Sequence, residues 1–382
     1  MSETRGAVSL LEHFADLEDP RREHGREHNL IDIIVIGILA VICGANDFVG
    51  MEAFGRAKEA WLKTFLELPN GIPSHDTFGR VFAKLKPEEF RRCFISWVRA
   101  VAVLTAGEVV AIDGKTLRRS YDRSGGQAAI ELVSAWAQRN RLTLGQVKVE
   151  ADSNEITAVP QLLRLLDITG CIVTVDAMNT QKATVEQIRE QEADYVCALK
   201  DNHPQMLAAV ADLCAAVEQG RTLNVVFRQC ETIDGDHGRI ETRHYVSVEA
   251  LEWLPGHDQW RDLTSVGMVE STREIGDKVT TERRYYLSSL PVDARLLAHA
   301  VRGHWSIENS CHWVLDVVFR EDDSRVRTGH APENLGLLRR WVHSLLQHEP
   351  TAKVGVQNKR LKAAWDEQYL LRLLNPEKYQ HL

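Results

Sequence analysis

The pattern of apolar and polar positions changes once, near residue 108, from helical to mixed. Residues 30–45 are apolar almost all round, which predicts a buried helix. Residues 46–66 place Phe48, Met51, Phe54, Trp61 and Phe65 at roughly helical spacing. A Pro/Gly turn follows, then Ser74 as an N-cap for an amphipathic helix through Phe78, Val81, Phe82 and Leu85. Two short helices joined by a tight turn describe a DNA-binding helix-turn-helix, and an all-helical packing domain describes the same pattern equally well.

Beyond Glu108 the chain alternates. VVAIDGKTL, IELVSAWAQ and RLTLGQVKVE read as three extended runs, the last two separated by a polar QRNR turn. NEITAVPQLLRLLDITG reads as a helix with Gly170 at its C-terminal cap. Then come a buried strand (CIVTVDAMNT), a helix (TQKATVEQIREQEA) and a second buried strand (DYVCALKDN). This succession predicts a mixed α/β sheet with a crossover. Residues 204–220 look helical and residues 221–290 mostly β. RGHWSIENSCHWVLDVVFREDD follows as a helix, and LGLLRRWVHSLL leads to a charged helical C-terminus.

Composition narrows the class. At 382 residues, 44% hydrophobic and 26% charged, the chain has the make-up of a globular protein with room for a sizeable core. Seven scattered cysteines without a CxxC pair argue for reduced thiols and against a cysteine zinc site. The N-terminus is acidic where a secretory signal needs basic and apolar residues, and the longest apolar run, Ile33–Ala45, is too short to span a bilayer. No membrane partner and a cytoplasmic location are therefore expected. The net charge of −8 counts mildly against nucleic acid unless charge segregates between faces. It also suits a protein that gathers carboxylates around a divalent cation.

Two apolar strands end on carboxylates, Asp113 before Gly114 and Asp176 after Val175. Ligands of open α/β sheets gather beyond the carboxyl ends of strands. Two carboxylates on adjacent ends repel unless a cation lies between them. Asp-Gly is also a common turn dipeptide, so either residue alone could simply cap a turn.

In the helix that follows the β stretch, Ile307, Cys311, Val314 and Val318 repeat as a core stripe. Glu308 lies beside it, with His304 and His312 one turn away on either side and Asp316 further along. A carboxylate there could complete a trio with the two aspartates. His304 and His312 stand about 12 Å apart along a helix, too far to share one zinc ion, and HExxH is absent. No Walker loop, GxGxxG or GxSxG motif occurs.

In order along the chain, HFADLEDPR, PSHDTFGRVF, AIDGKTLR, SNEITAVPQLL, IVTVDAMNTQ, DYVCALKDN, RYYLSSL and HWSIENSCHWVLDVVFREDD closely resemble the H-repeat-associated branch of bacterial insertion-sequence DDE transposases. The resemblance runs from about residue 10 to 348. It implies an all-helical N-terminal domain over 1–103 and an RNase H-like DDE core over 104–350. A β-rich insertion at about 221–290 and a helical tail over 351–382 complete the expected arrangement. Asp113, Asp176 and Glu308 become the catalytic and metal-binding trio, with Mg²⁺, or Mn²⁺ in its place, as cofactor. The partners it implies are duplex DNA, as terminal inverted repeats and target, and a second copy of the chain in the DNA complex. The setting it implies is bacterial and nucleoid-associated. Lys115, Arg118, Arg119, Lys200 and Asn202, beyond strand ends, and Arg302, His304 and His312 on the last helix are candidate DNA contacts. The wider superfamily carries Tyr, Arg and Lys around the glutamate, where this chain has Val301, His304 and Leu315. It also has Glu131 and Asp152 where relatives often carry His and Lys. A nuclease that does not transpose and a non-catalytic DNA-binding protein derived from such an element are the rival readings.

Overall fold

Only helices precede the first strand among the described residues, which in this computed structural model are 9–121, 128–221, 224–236 and 238–375. They are α1 (Leu30–Ile42), α2 (Phe48–Leu62), α3 (His75–Lys84) and α4 (Pro87–Val101). The all-round apolar sequence of α1 buries it on every side, and its one carboxylate, Asp32, accepts a hydrogen bond from the Leu68 backbone at 2.9 Å. Asp47 caps α2 and Ser74 caps α3. Phe78, Val81, Phe82 and Leu85 are all buried, as the amphipathic pattern predicts. The α2–α3 connection is not the tight turn expected of a helix-turn-helix, because residues 63–74 intervene.

Nine strands form one sheet in the order β3-β2-β1-β4-β5-β9-β8-β7-β6. They are β1 (Val109–Thr116), β2 (Glu131–Ala137), β3 (Leu142–Lys148), β4 (Ile172–Val175), β5 (Asp194–Leu199), β6 (Phe227–Asp236), β7 (Arg239–Glu249), β8 (Ser265–Ile275) and β9 (Lys278–Ser288). β1, β4 and β5 are parallel to one another, and every other neighbouring pair is antiparallel. The β-rich stretch extends the sheet: β9 hydrogen-bonds to β5. Helices α5 (Glu155–Leu163), α6 (Lys182–Glu190) and α7 (Pro204–Glu218) connect the central strands. α5 stops at Leu163, so Gly170 is not its cap. Gly170 instead takes φ +73° in the turn before β4, accepting from Gly107 and donating to Glu192.

The chain then returns through α8 (Ala294–Ile307), a π-helical turn (Glu308–His312) and α9 (Trp313–Val317) to α10 (Ala331–His348). α11 (Val356–Trp365) and α12 (Glu367–Leu373) close the described chain, and the end of the expected tail, 376–382, lies outside the described residues. α10 is the central post. The Trp341 ring sits 4.9 to 5.9 Å from Phe14, Phe94, Phe90 and Trp97, so the N-terminal helices share their core with it. Arg340, fully buried on the other side, pairs with Glu321 at 3.0 Å and donates to Ser134 of β2. Among the described residues no helix is long and apolar enough to cross a membrane.

Candidate active site

Asp113 and Asp176 are brought level by strand register. β1 and β4 run parallel with Ile112 opposite Val175, so the next residue of each chain emerges at the same height. Asp113 does not end its strand, as the sequence suggests: β2 continues to pair β1 as far as Thr116. Gly114 serves close approach instead of a turn, because a Cβ there would lie 2.0 Å from the Glu155 carboxylate.

A short network fixes Asp176. The backbone N and the side-chain Nδ2 of Asn179 both donate to its Oδ1 at 2.9 Å, and the same Nδ2 reaches Glu155 Oε2 at 2.9 Å. Asn179 is wholly buried. Burial, then the neighbouring Glu131 carboxyl, pushes Glu155 up to about 8. Asn202, a candidate DNA contact, instead donates to the Ala177 carbonyl at 2.7 Å and pins this loop.

Glu308 opens the π-helical turn, a feature frequent at functional sites. The extra residue in that turn shifts the buried stripe: Leu315 and Phe319 are buried, while Val318 is only half-buried. Burial, then the charge of Asp113, raises the Glu308 carboxyl. Burial pushes Asp113 up as well, but His312 Nε2 at 3.3 Å outweighs it and holds Asp113 below the usual carboxylate range. His312 is thus buried against a carboxylate and does not face solvent. His304 meets the Thr174 hydroxyl at 3.0 Å, and burial lowers its pKa.

Asp113, Asp176 and Glu308 line one cavity of about 260 Å³, together with His304, Lys200 and Arg284. Arg284, on β9, lies 4.8 Å over the ring of Trp305, which is 40% exposed. Trp313 is 58% exposed. Both tryptophans stand off the apolar stripe of this helix and are exposed. Arg284 and Asn179 carried no periodic signal, though both lie inside the quoted motifs.

The basic candidates fare unevenly. Lys200 lines the cavity. Lys115 is 10% exposed and held by Asp316 at 2.7 Å and Asp322 at 3.5 Å. Arg118 pairs with Asp322, Arg119 with Asp323, and Arg302 with Asp234.

Among the described residues, none of the three cavity carboxylates pairs with a lysine or arginine, and no group of three His, Cys, Asp or Glu side chains is disposed to hold a metal ion as it stands. The donor chemistry nonetheless fits a hard divalent cation: three carboxylates line one cavity, and the charge of Asp113 raises the Glu308 carboxyl.

A family model described as transposase DDE domain matches residues 105–345, and one described as DDE_Tnp_1-associated matches residues 11–98. YncI of Escherichia coli O157:H7, provisionally named a transposase, is 38% identical over 96% of this chain and 94% of its own. YhhI of Escherichia coli strain K12, provisionally named an H repeat-associated transposase, is 38% identical over 96% of this chain and 97% of its own. YbfL, a second protein of strain K12, matches to the same extent. On these matches the chain belongs to the DDE transposase family, in the branch of the H repeat-associated proteins.

Proposed function

We propose that this chain is the recombinase of a bacterial insertion sequence, cutting DNA at the element's ends and joining the freed 3′-OH to target DNA. One observation carries the reading: Asp113, Asp176 and Glu308, from three distant segments, line one cavity without lysine or arginine partners among the described residues. The central strands with α8 returning over them are read as an RNase H-like core.

Asp113, Asp176 and Glu308 would hold Mg²⁺, or Mn²⁺ in its place. Such ions, when bound, activate water or a 3′-OH and stabilise the leaving oxygen of an in-line displacement. The chain's own part is positioning. Asn179 holds Asp176 by two hydrogen bonds, and His312 sets Asp113. Lys200 on the cavity wall offers a cation to the scissile phosphate, while Arg284 beside it is held by Glu282 at 2.9 Å, and the exposed Trp305 offers a face to a base or sugar. Two copies acting on paired ends, in the nucleoid of a bacterial cytoplasm, complete the reading.

The test uses the purified chain, Mg²⁺, a labelled duplex carrying the element's end and a plasmid target. Joined product supports transposition, while cutting without joining supports a nuclease. Binding alone supports a non-catalytic DNA-binding protein. Glu308→Gln, which leaves shape unchanged, should abolish both cutting and joining. Full activity in that folded variant removes Glu308 from the site.

A further inference from the structure

A second basic surface lies away from the cavity. The loop of residues 324–330, which follows α9, packs on α3. His330 N donates to the Ala83 carbonyl at 3.1 Å, and Gly329, at φ +53°, comes so close that a Cβ would stand 2.6 Å from the same oxygen. Between them runs a groove of about 840 Å³, with Arg80 and Lys84 of α3 on one wall and Arg325 and Arg327 on the other.

Some exposed cations of this protein are ion-paired and others are not. Lys63 pairs with Glu59, Arg261 with Glu186 and Arg118 with Asp322. The four groove cations are of the second kind and gather at one place: among the described residues none pairs with a carboxylate. Arg80 reaches only the Thr77 hydroxyl at 3.2 Å, and Arg327 donates to the Arg119 carbonyl at 3.1 Å while stacking on Tyr121. Two carboxylates share the groove, Asp47 and Asp76. Asp47 caps α2, accepting from Gly50, so the groove holds four cations against two carboxylates. In a chain of net charge −8, four cations without carboxylate partners facing one another across a groove mark a polyanion site.

We infer that this groove grips the phosphate backbone of duplex DNA, joining the N-terminal helices to the segment that follows the Glu308 helix in one DNA-holding surface. Arg80 and Lys84 stand one helical turn apart, and Arg325 and Arg327 two residues apart. Each wall is thus a short row of cations, suited to a row of phosphates and not to a single small anion. The inference rests on the DNA-processing reading above and adds a contact that reading does not need.

The experiment measures binding of a fluorescent duplex of about 40 base pairs and arbitrary sequence as NaCl rises from about 50 to 200 mM. Each lost phosphate contact lowers the slope of log K against log salt by about 0.9. Arg80→Ala with Lys84→Ala should flatten the slope by about 1.8, and adding Arg325→Ala with Arg327→Ala by about 3.6. Lys63→Ala with Arg261→Ala, which removes two ion-paired surface cations, should leave it unchanged. All six positions are at or near the surface, and an unchanged melting temperature checks folding. An unaltered slope in the folded groove variants overturns the inference, and so does tighter groove-dependent binding of a poly-glutamate peptide than of the duplex. Wild-type protein that shows the groove-dependent slope but never cuts rejects the proposed function alone. Cutting with a slope indifferent to the groove rejects the groove alone.

Discussion

Gly303 tests the link between packing and chemistry. It sits on α8 five residues before Glu308, facing Val109 on β1 four residues before Asp113. A Cβ at position 303 would lie 2.6 Å from Val109 Cγ1, 2.8 Å from its Cβ and 2.9 Å from Gln138 Oε1. Carbon atoms rest at about 3.5 Å or more, so Gly303→Ala must part helix and strand by roughly 0.9 Å. Overpacking of this kind costs about 1–3 kcal/mol, and the helix propensity gained over glycine returns about 1 kcal/mol. The net loss of stability is therefore about 0–2 kcal/mol. The catalytic loss should be larger, because a misplacement of about 1 Å typically costs on the order of a hundredfold. Melting temperature and end cleavage measured on the same preparation separate the two. Cleavage near the wild-type rate in the folded variant refutes the coupling, as does a loss that disappears wherever the variant is fully folded.

Asn179→Ala removes the donors that hold Asp176 and Glu155, costing about 2–3 kcal/mol, with cleavage falling at least tenfold. Normal cleavage would show that the Asp176 loop holds itself. Glu321→Ala leaves Arg340 buried without its partner and should cost about 3–5 kcal/mol in urea unfolding; a change under about 1 kcal/mol would mean that the pair is already hydrated. Burial pushes Glu333 up to about 7, against the partial opposition of Arg91 and Lys148. Between pH 4.5, the ordinary value, and about 7 the folded carboxyl holds a proton that the unfolded chain has released. Stability should therefore fall as pH rises through that window, by up to about 3 kcal/mol, and level off above it. Glu333→Gln should flatten that slope in urea titrations between pH 5 and pH 8, and an unchanged slope would clear Glu333 of the effect.

Much of the molecule was legible before folding. The all-round apolar α1, the Ser74 cap, the strand runs and the quoted motifs follow from local periodicity and turn chemistry, which act over a few residues. The two aspartates were legible for the same reason, each standing at the polar end of an apolar run. Glu308 was not legible from periodicity alone: a carboxylate beside a helical stripe has many uses, and only its resemblance to a family singled it out. The π turn escaped, because one inserted residue changes which side chains face the sheet without changing composition. For that reason Val318 reads as core yet is only half-buried, and His312 turns to Asp113. Lys115, Arg118 and Arg119 read as free cations until the fold brought up Asp316, Asp322 and Asp323, some two hundred residues away. The sequence by itself determined the elements and the chemical kind of the site, since helix, strand and carboxylate are properties of neighbouring residues. Only the tertiary structure decided which charges are spent on one another and which remain for a substrate, since ion pairing depends on approach through space and not on order along the chain.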